Sequence, residues 1–314
     1  IDALVERGRP ILPQFDFGQG IGPLAGIALA EALPRHRDSA LARRRAGLLL
    51  GHPSWRVRAA AIDGVISMRD PTLLGDLVEL LSGSGRLRHD AWAALQELTG
   101  RRIPPDPEQW RAILPLGELP EKGEPGSGSE TMTTAYFGLP VYSERIAFVF
   151  DVSGSMRDDR KLELARERFA ETAQALEPDQ RYDLFVYRYL LDYPPRPKLE
   201  RAFGKLVSGK SETAVKWLGK QEARGGGAIF DALLAAMDDH EVDTIYLLSD
   251  GVPSYGTVAR DFRVLQEVKR HNRWRRVVIH TILLGSKGTD RKFMASLARE
   301  TGGRAVDADG RSLR

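Results

Sequence analysis

No cysteine occurs anywhere in the 314 residues. That excludes disulfides, thiolate metal sites and a cysteine nucleophile together, and it suits an exported bacterial protein slightly better than a cytosolic one. Lysine is scarce, with 10 in all and none before Lys122. The 46 basic residues are therefore mostly arginine, and they nearly balance 43 acidic ones. A coding bias toward arginine explains a spread-out excess of this kind, whereas nucleic-acid binding calls for a clustered basic face. No apolar run reaches the roughly 18 residues that a membrane-spanning helix needs. The chain begins at Ile1 without a methionine, which leaves room for a removed leader or a further domain and leaves the compartment unread. The His-Glu-x-x-His helix and the Gly-x-Ser-x-Gly elbow are missing, so these two hydrolase signatures are absent.

What is present changes character along the chain. Between about Arg37 and Leu98 the pattern is helical. Val57, Ala60, Ala61 and Val65, then Leu73, Leu74, Leu77 and Leu80, recur at three- and four-residue spacing, with the turn signal Asp70-Pro71 between them. Gly51 and Gly100 close flanking helical stretches, as glycine does at helix C-termini. Residues 104–140 are rich in Pro, Gly, Ser and Glu and read as a linker, because such a stretch has little apolar surface to offset the entropy of ordering it. From residue 141 the rhythm is strand, helix, strand. RIAFVFD, RYDLFVYRYL, TIYLLSD and RVVIHTILLG are strand-like runs separated by KLELARERFAETAQAL, AIFDALLAAM and RDFRVLQEVKRH, with DRKFMASLARE as a further helix. The alternation predicts a mostly parallel, doubly wound sheet with helices on both faces, and any ligand at the carboxyl ends of its strands.

Two of those strand ends carry the chemistry. FVFDVSGSM places Asp151 at the end of one buried strand with Ser153 and Ser155 in the loop behind it, and TIYLLSDG ends at Asp250. A carboxylate and two alternating hydroxyls are hard oxygen donors, which favour Mg²⁺, Ca²⁺ or Mn²⁺ over zinc or copper. Two strand-end carboxylates can converge on one such cation.

The Asp-x-Ser-x-Ser pattern, the later Ser-Asp-Gly and the closing GGRAVDADG segment resemble the metal-ion-dependent adhesion site of von Willebrand factor A domains, over about residues 141–314. The resemblance implies Rossmann-like topology, Ser153 and Ser155 as direct metal ligands, and Asp151 and Asp250 as carboxylates acting largely through bound water. A cation held so is electron-poor and can take an acidic group from a protein partner. One position departs from the family. Gly227 in GGGAIFDAL stands where a threonine is usual, so water would fill that ligand position, and Asp231 reads as a helix-start or packing residue. The segment His52–Leu81 in turn resembles a HEAT repeat, which gives an expected organisation of a HEAT-like α-helical domain over 1–103, a linker over 104–140 and an A-type domain over 141–314.

The function expected on these grounds is a non-enzymatic scaffold, binding a protein through the metal with the helical module as a second surface. A second reading is RNA binding. It rests on KRHNRWRR (Lys269–Arg276), where aromatics interrupt bases, and on an outline similar to Ro RNA-binding proteins, although the helical part is shorter. A third is a metal-dependent phosphohydrolase with Asp151 as nucleophile; such sites carry a second acid two positions on, where this chain has Ser153. His52, His89 and His280 lack metal-ligand spacing, and Trp55, Trp92 and Trp110 sit at core-like helical positions.

Overall fold

A computed structural model describes residues 21–36, 38–114, 134–208, 211–285 and 288–313. Contacts divide the chain into two compact units, 1–131 and 132–314. Most of the expected linker, residues 115–133, lies outside the described residues.

The first unit is helical: α1 (Pro23–Ala32), α2 (Ser39–Leu50), α3 (Trp55–Met68), α4 (Leu74–Leu80), α5 (Gly85–Thr99) and α6 (Pro107–Ile113). Helix α3 packs on α1, α2 and α5. The α1–α3 approach is close at two small residues: a Cβ on Gly26 would meet Val57 Cγ2 at 2.8 Å, and one on Gly64 would meet the Ala30 carbonyl at 3.0 Å. The apolar stripe read from spacing is buried at Val57, Ala60, Ala61, Val65, Leu73, Leu74 and Leu77, while Val78 and Leu81 go inside and Leu80 is only half-buried. The Asp70 carboxylate caps the turn by accepting from the Thr72 amide at 3.0 Å. Gly100 ends α5 in the left-handed conformation, with φ 71°, but Gly51 ends α2 at φ −89°, which any residue can adopt. The start of the expected linker is ordered, because Pro107 opens α6 behind the Asp106 cap and Trp110 is buried.

The second unit opens with a small hairpin, β1 (Ala135–Tyr136) and β2 (Leu139–Pro140), also inside the span expected to be linker. Tyr136, Phe137 and Leu139 are buried in the core, and that apolar content is what orders the segment. The main sheet has six strands in the order β5-β4-β3-β6-β7-β8: β3 (Arg145–Asp151), β4 (Arg181–Leu190), β5 (Arg196–Arg201), β6 (Thr244–Ser249), β7 (Val278–Leu283) and β8 (Ala305–Asp307). All neighbours are parallel except β4 and β5.

Side chains alternate across a strand, and β3 shows the consequence. Ile146, Phe148 and Phe150 join one core with α7 (Lys161–Ala175) and α8 (Ser211–Gly219). Ala147 and Val149 join the other with α9 (Ile229–Asp238), α10 (Asp261–Arg275) and α11 (Gly288–Glu300). Every residue of β6 and β7 is buried, as expected of strands covered on both faces. The fold is thus a doubly wound, mostly parallel sheet. The antiparallel edge strand β5, RPKLER, has no fully buried residue and gives no apolar run by which a sequence could announce it.

Candidate functional site

The three central strands finish side by side. Asp151 on β3 is in register with Tyr187 on β4, and Phe150 is in register with Leu248 on β6, so Ser249 lies beside Asp151. The Asp151 carboxylate is 2% exposed. It accepts from the Ser249 hydroxyl at 2.6 Å, the Tyr187 hydroxyl at 3.1 Å and the Ser153 amide at 2.8 Å. Burial pushes its pKa above the ordinary carboxylate range; hydrogen bonds from Ser249 and Ser153 pull it back, and the nearby charge of Asp250 pushes it up again. A carboxylate fixed by three donors is a preorganised acceptor rather than a swinging base.

The loop after β3 carries the cluster outward to solvent. Ser153 is buried, its hydroxyl lies 3.3 Å from that of Ser155, and the exposed Ser155 donates to Asp250 Oδ1 at 2.9 Å. Asp151, Ser153, Ser155 and Asp250 therefore form one hydrogen-bonded chain across two strand ends. The other oxygen of Asp250 is taken by Lys161 Nζ at 2.8 Å. Lys161 is the first residue of α7, reached through Asp159 and Arg160, two non-glycine residues in the left-handed region at φ 52° and 55°.

The glycine run 225–227 meets this loop from the side. Gly225 has φ +73°, and a Cβ on it would overlap the Tyr189 carbonyl. A Cβ on Gly226 would overlap the ring of Tyr255, which stacks on Tyr189 at 5.1 Å and 16°. Gly227 is different. A Cβ there would lie 3.6 Å from Asp151 Oδ2 and 3.7 Å from Ser254 Oγ, ordinary contact distances. Its amide donates to Ser254 Oγ at 3.1 Å, and its carbonyl accepts from the Ser254 and Tyr255 amides. Asp231, near the start of α9, is spent on Thr257, accepting from its amide at 2.9 Å and from its hydroxyl. It ties the start of α9 to the loop after β6.

Among the described residues no group of three or more His, Asp or Glu converges as a metal cage. The fit of a divalent cation therefore rests on hydroxyls supplemented by two carboxylates. Such an all-oxygen set suits Mg²⁺, Mn²⁺ or Ca²⁺, with waters completing the shell. Spacing within the DxSxS pattern makes Asp151, Ser153 and Ser155 readable from sequence. Lys161, Tyr187 and Ser249 were not, because only strand register and the turn at residues 159–160 bring them in.

The remaining features of the sequence have structural partners. The basic run Lys269–Arg276 closes α10: Lys269 pairs with Glu300, Arg270 with Glu267 and Arg275 with Asp238, while Arg273 lies over the Trp274 ring. His280 is buried, stacks on Tyr246 and accepts from the Arg304 amide. Trp92 and Trp110 are buried with their indole N–H groups on backbone carbonyls, and Trp55 is half-buried under Arg56 and Arg86. No helix among the described residues is long and apolar enough to cross a membrane.

The family model for the von Willebrand factor type A domain matches residues 144–307, just over half of the chain. Human von Willebrand factor A domain-containing protein 3A is 37% identical over 94 residues, which is 29% of this chain and 7% of that protein. The chain thus spans only a small fraction of that relative's length. Among solved structures, a von Willebrand factor type A protein from Catenulispora acidiphila is similar with TM-score 0.42 and 18% identity, over 54% of this chain and 39% of that one. The manganese-loaded TRAP protein of Plasmodium vivax is similar with TM-score 0.38 and 19% identity, over 53% and 69%.

Proposed function

From the premise that this chain belongs to the von Willebrand factor type A domain family, we propose that it is a non-enzymatic interaction protein whose contact point is a divalent cation at the carboxyl edge of the sheet. Ser153 and Ser155 would hold the ion directly, with Asp151 and Asp250 as supporting carboxylates. The observation that carries this reading is the continuous link from Asp151 through Ser153 and Ser155 to Asp250, buried at Asp151 and open to solvent at Ser155. When bound, the cation supplies an electrophilic centre that a partner's carboxylate can complete. The chain's own residues do the rest. Ser249 and Tyr187 hold Asp151 still, Ser155 presents its hydroxyl at the mouth, and among the described residues no unengaged base stands there to activate a nucleophile. The helical unit, read as HEAT-like over 1–103, would offer a second surface.

The test is Mn²⁺ binding to the full chain, followed by calorimetry and by water-proton relaxation, with a short peptide ending in glutamate as the carboxylate probe. The expected result is saturable binding of one ion, abolished in Ser155→Ala and Asp250→Ala, with relaxivity falling as the peptide displaces water from the ion. Absence of saturable Mn²⁺ binding, or variants that bind as well as wild type, overturns the reading.

A further inference from the structure

The cluster contains a cation of the chain's own. Lys161 Nζ lies 2.8 Å from Asp250 Oδ2 and 3.4 Å from the Ser155 carbonyl oxygen. The pair is largely withdrawn from water, with side-chain exposures of 16% for Lys161 and 7% for Asp250. Nothing in the helix itself asks for lysine at this position. A helix N-terminus carries partial positive charge and favours acidic side chains, yet Lys161 opens α7. The neighbouring cations turn elsewhere: Arg157 donates to the Ala223 carbonyl, and Arg160 is 81% exposed beside Glu167. Lys161 alone of the three is directed at the strand-end carboxylates.

We propose that Lys161 is a built-in counter-cation that competes with the divalent ion for Asp250. This rests on the metal reading above and concerns how that site is loaded. Without metal, the ammonium neutralises one of two neighbouring carboxylates whose mutual repulsion is otherwise offset only by neutral hydrogen-bond donors. A divalent ion entering beside Ser155 meets a site with a formal charge of one negative unit, from two carboxylates and one ammonium, and must share Asp250 or displace the lysine. Loading is then an exchange of cations. The wild-type chain stays stable when metal is scarce and binds it weakly, and Gly227, which offers no side-chain ligand, acts in the same direction.

The test compares wild type with Lys161→Met, which keeps the aliphatic stem, and Lys161→Arg, which keeps the charge. Removing a unit charge a few Å from a divalent ion tightens binding by on the order of tenfold even with solvent screening. Lys161→Met should therefore bind Mn²⁺ about tenfold more tightly by calorimetry, melt lower than wild type in chelator, and gain more in Tm on adding metal; Lys161→Arg should behave as wild type. On the wild-type chain, saturating Mg²⁺ should free the ammonium and raise the rate of reductive methylation at Lys161, read by mass spectrometry, and this measurement stands even if Lys161→Met fails to fold. Equal Mn²⁺ affinity in wild type and Lys161→Met, or a methylation rate insensitive to metal, overturns the exchange while leaving the metal reading intact. Absence of binding in every variant overturns both.

Discussion

Gly227→Thr puts the geometry of the site to a direct test, because it restores a side chain where the glycine leaves room for one. A Cβ at this position meets Asp151 Oδ2 at 3.6 Å and Ser254 Oγ at 3.7 Å, with no overlap, and Gly227 is absent from the positive-φ glycines. The backbone is therefore open to an ordinary residue, and losing glycine's freedom in the unfolded chain stabilises the fold by about 0.4–1 kcal/mol. In a unit of this size that is roughly 1–4 °C in Tm. The added hydroxyl would replace a water on the ion, and releasing that water contributes about 0–2 kcal/mol. The middle of that range corresponds to a gain in Mn²⁺ affinity of about fivefold. The assay is calorimetric titration of wild type and variant with Mn²⁺, paired with thermal unfolding in chelator. A variant that melts higher in chelator and binds more tightly agrees with the geometry. Unchanged or weaker binding in a variant of undiminished stability would refute it, since residue 227 would then not face the ion.

The neighbouring position should respond oppositely: Gly226→Ala drives a Cβ into the Tyr255 ring and should lower stability by about 1–3 kcal/mol, measured by denaturant unfolding. Phe148→Ala empties a fully buried position among Tyr136, Phe169 and Tyr246. A loss of about 3–5 kcal/mol is expected, seen as a fall of roughly 6–20 °C in Tm. Asp151 has a raised folded-state pKa, caused first by burial, so it favours the fold most when protonated. Its contribution is fully present below the ordinary carboxylate range and is lost as pH rises through the raised value. Relative to Asp151→Asn in chelator, wild type should therefore lose stability as pH climbs from about 4 upward. A difference between the two that is flat with pH, by urea titration, would contradict the raised pKa.

The second unit was readable to an unusual depth because parallel strands buried on both faces leave uninterrupted apolar runs. RIAFVFD and RYDLFVYRYL are β3 and β4 residue for residue. The edges were not readable. β5 is polar, β8 has three residues, and the hairpin at residues 135–140 lies within a stretch whose overall composition suggests a linker. There Tyr136, Phe137 and Leu139 were too few to register until the core accepted them.

For the candidate site, local spacing grouped the oxygen side chains: Asp151, Ser153 and Ser155 alternate within five residues, and a strand end followed by a loop keeps them together. What only the tertiary structure decided is the company they keep. Register placed Tyr187 and Ser249 on Asp151, parallel pairing brought Asp250 within reach of Ser155, and two left-handed residues returned Lys161 to Asp250. The physical reason is one of range. Donor chemistry and short spacing act over a few residues, whereas the ion pair that closes the cluster joins a carboxylate and an ammonium 89 residues apart.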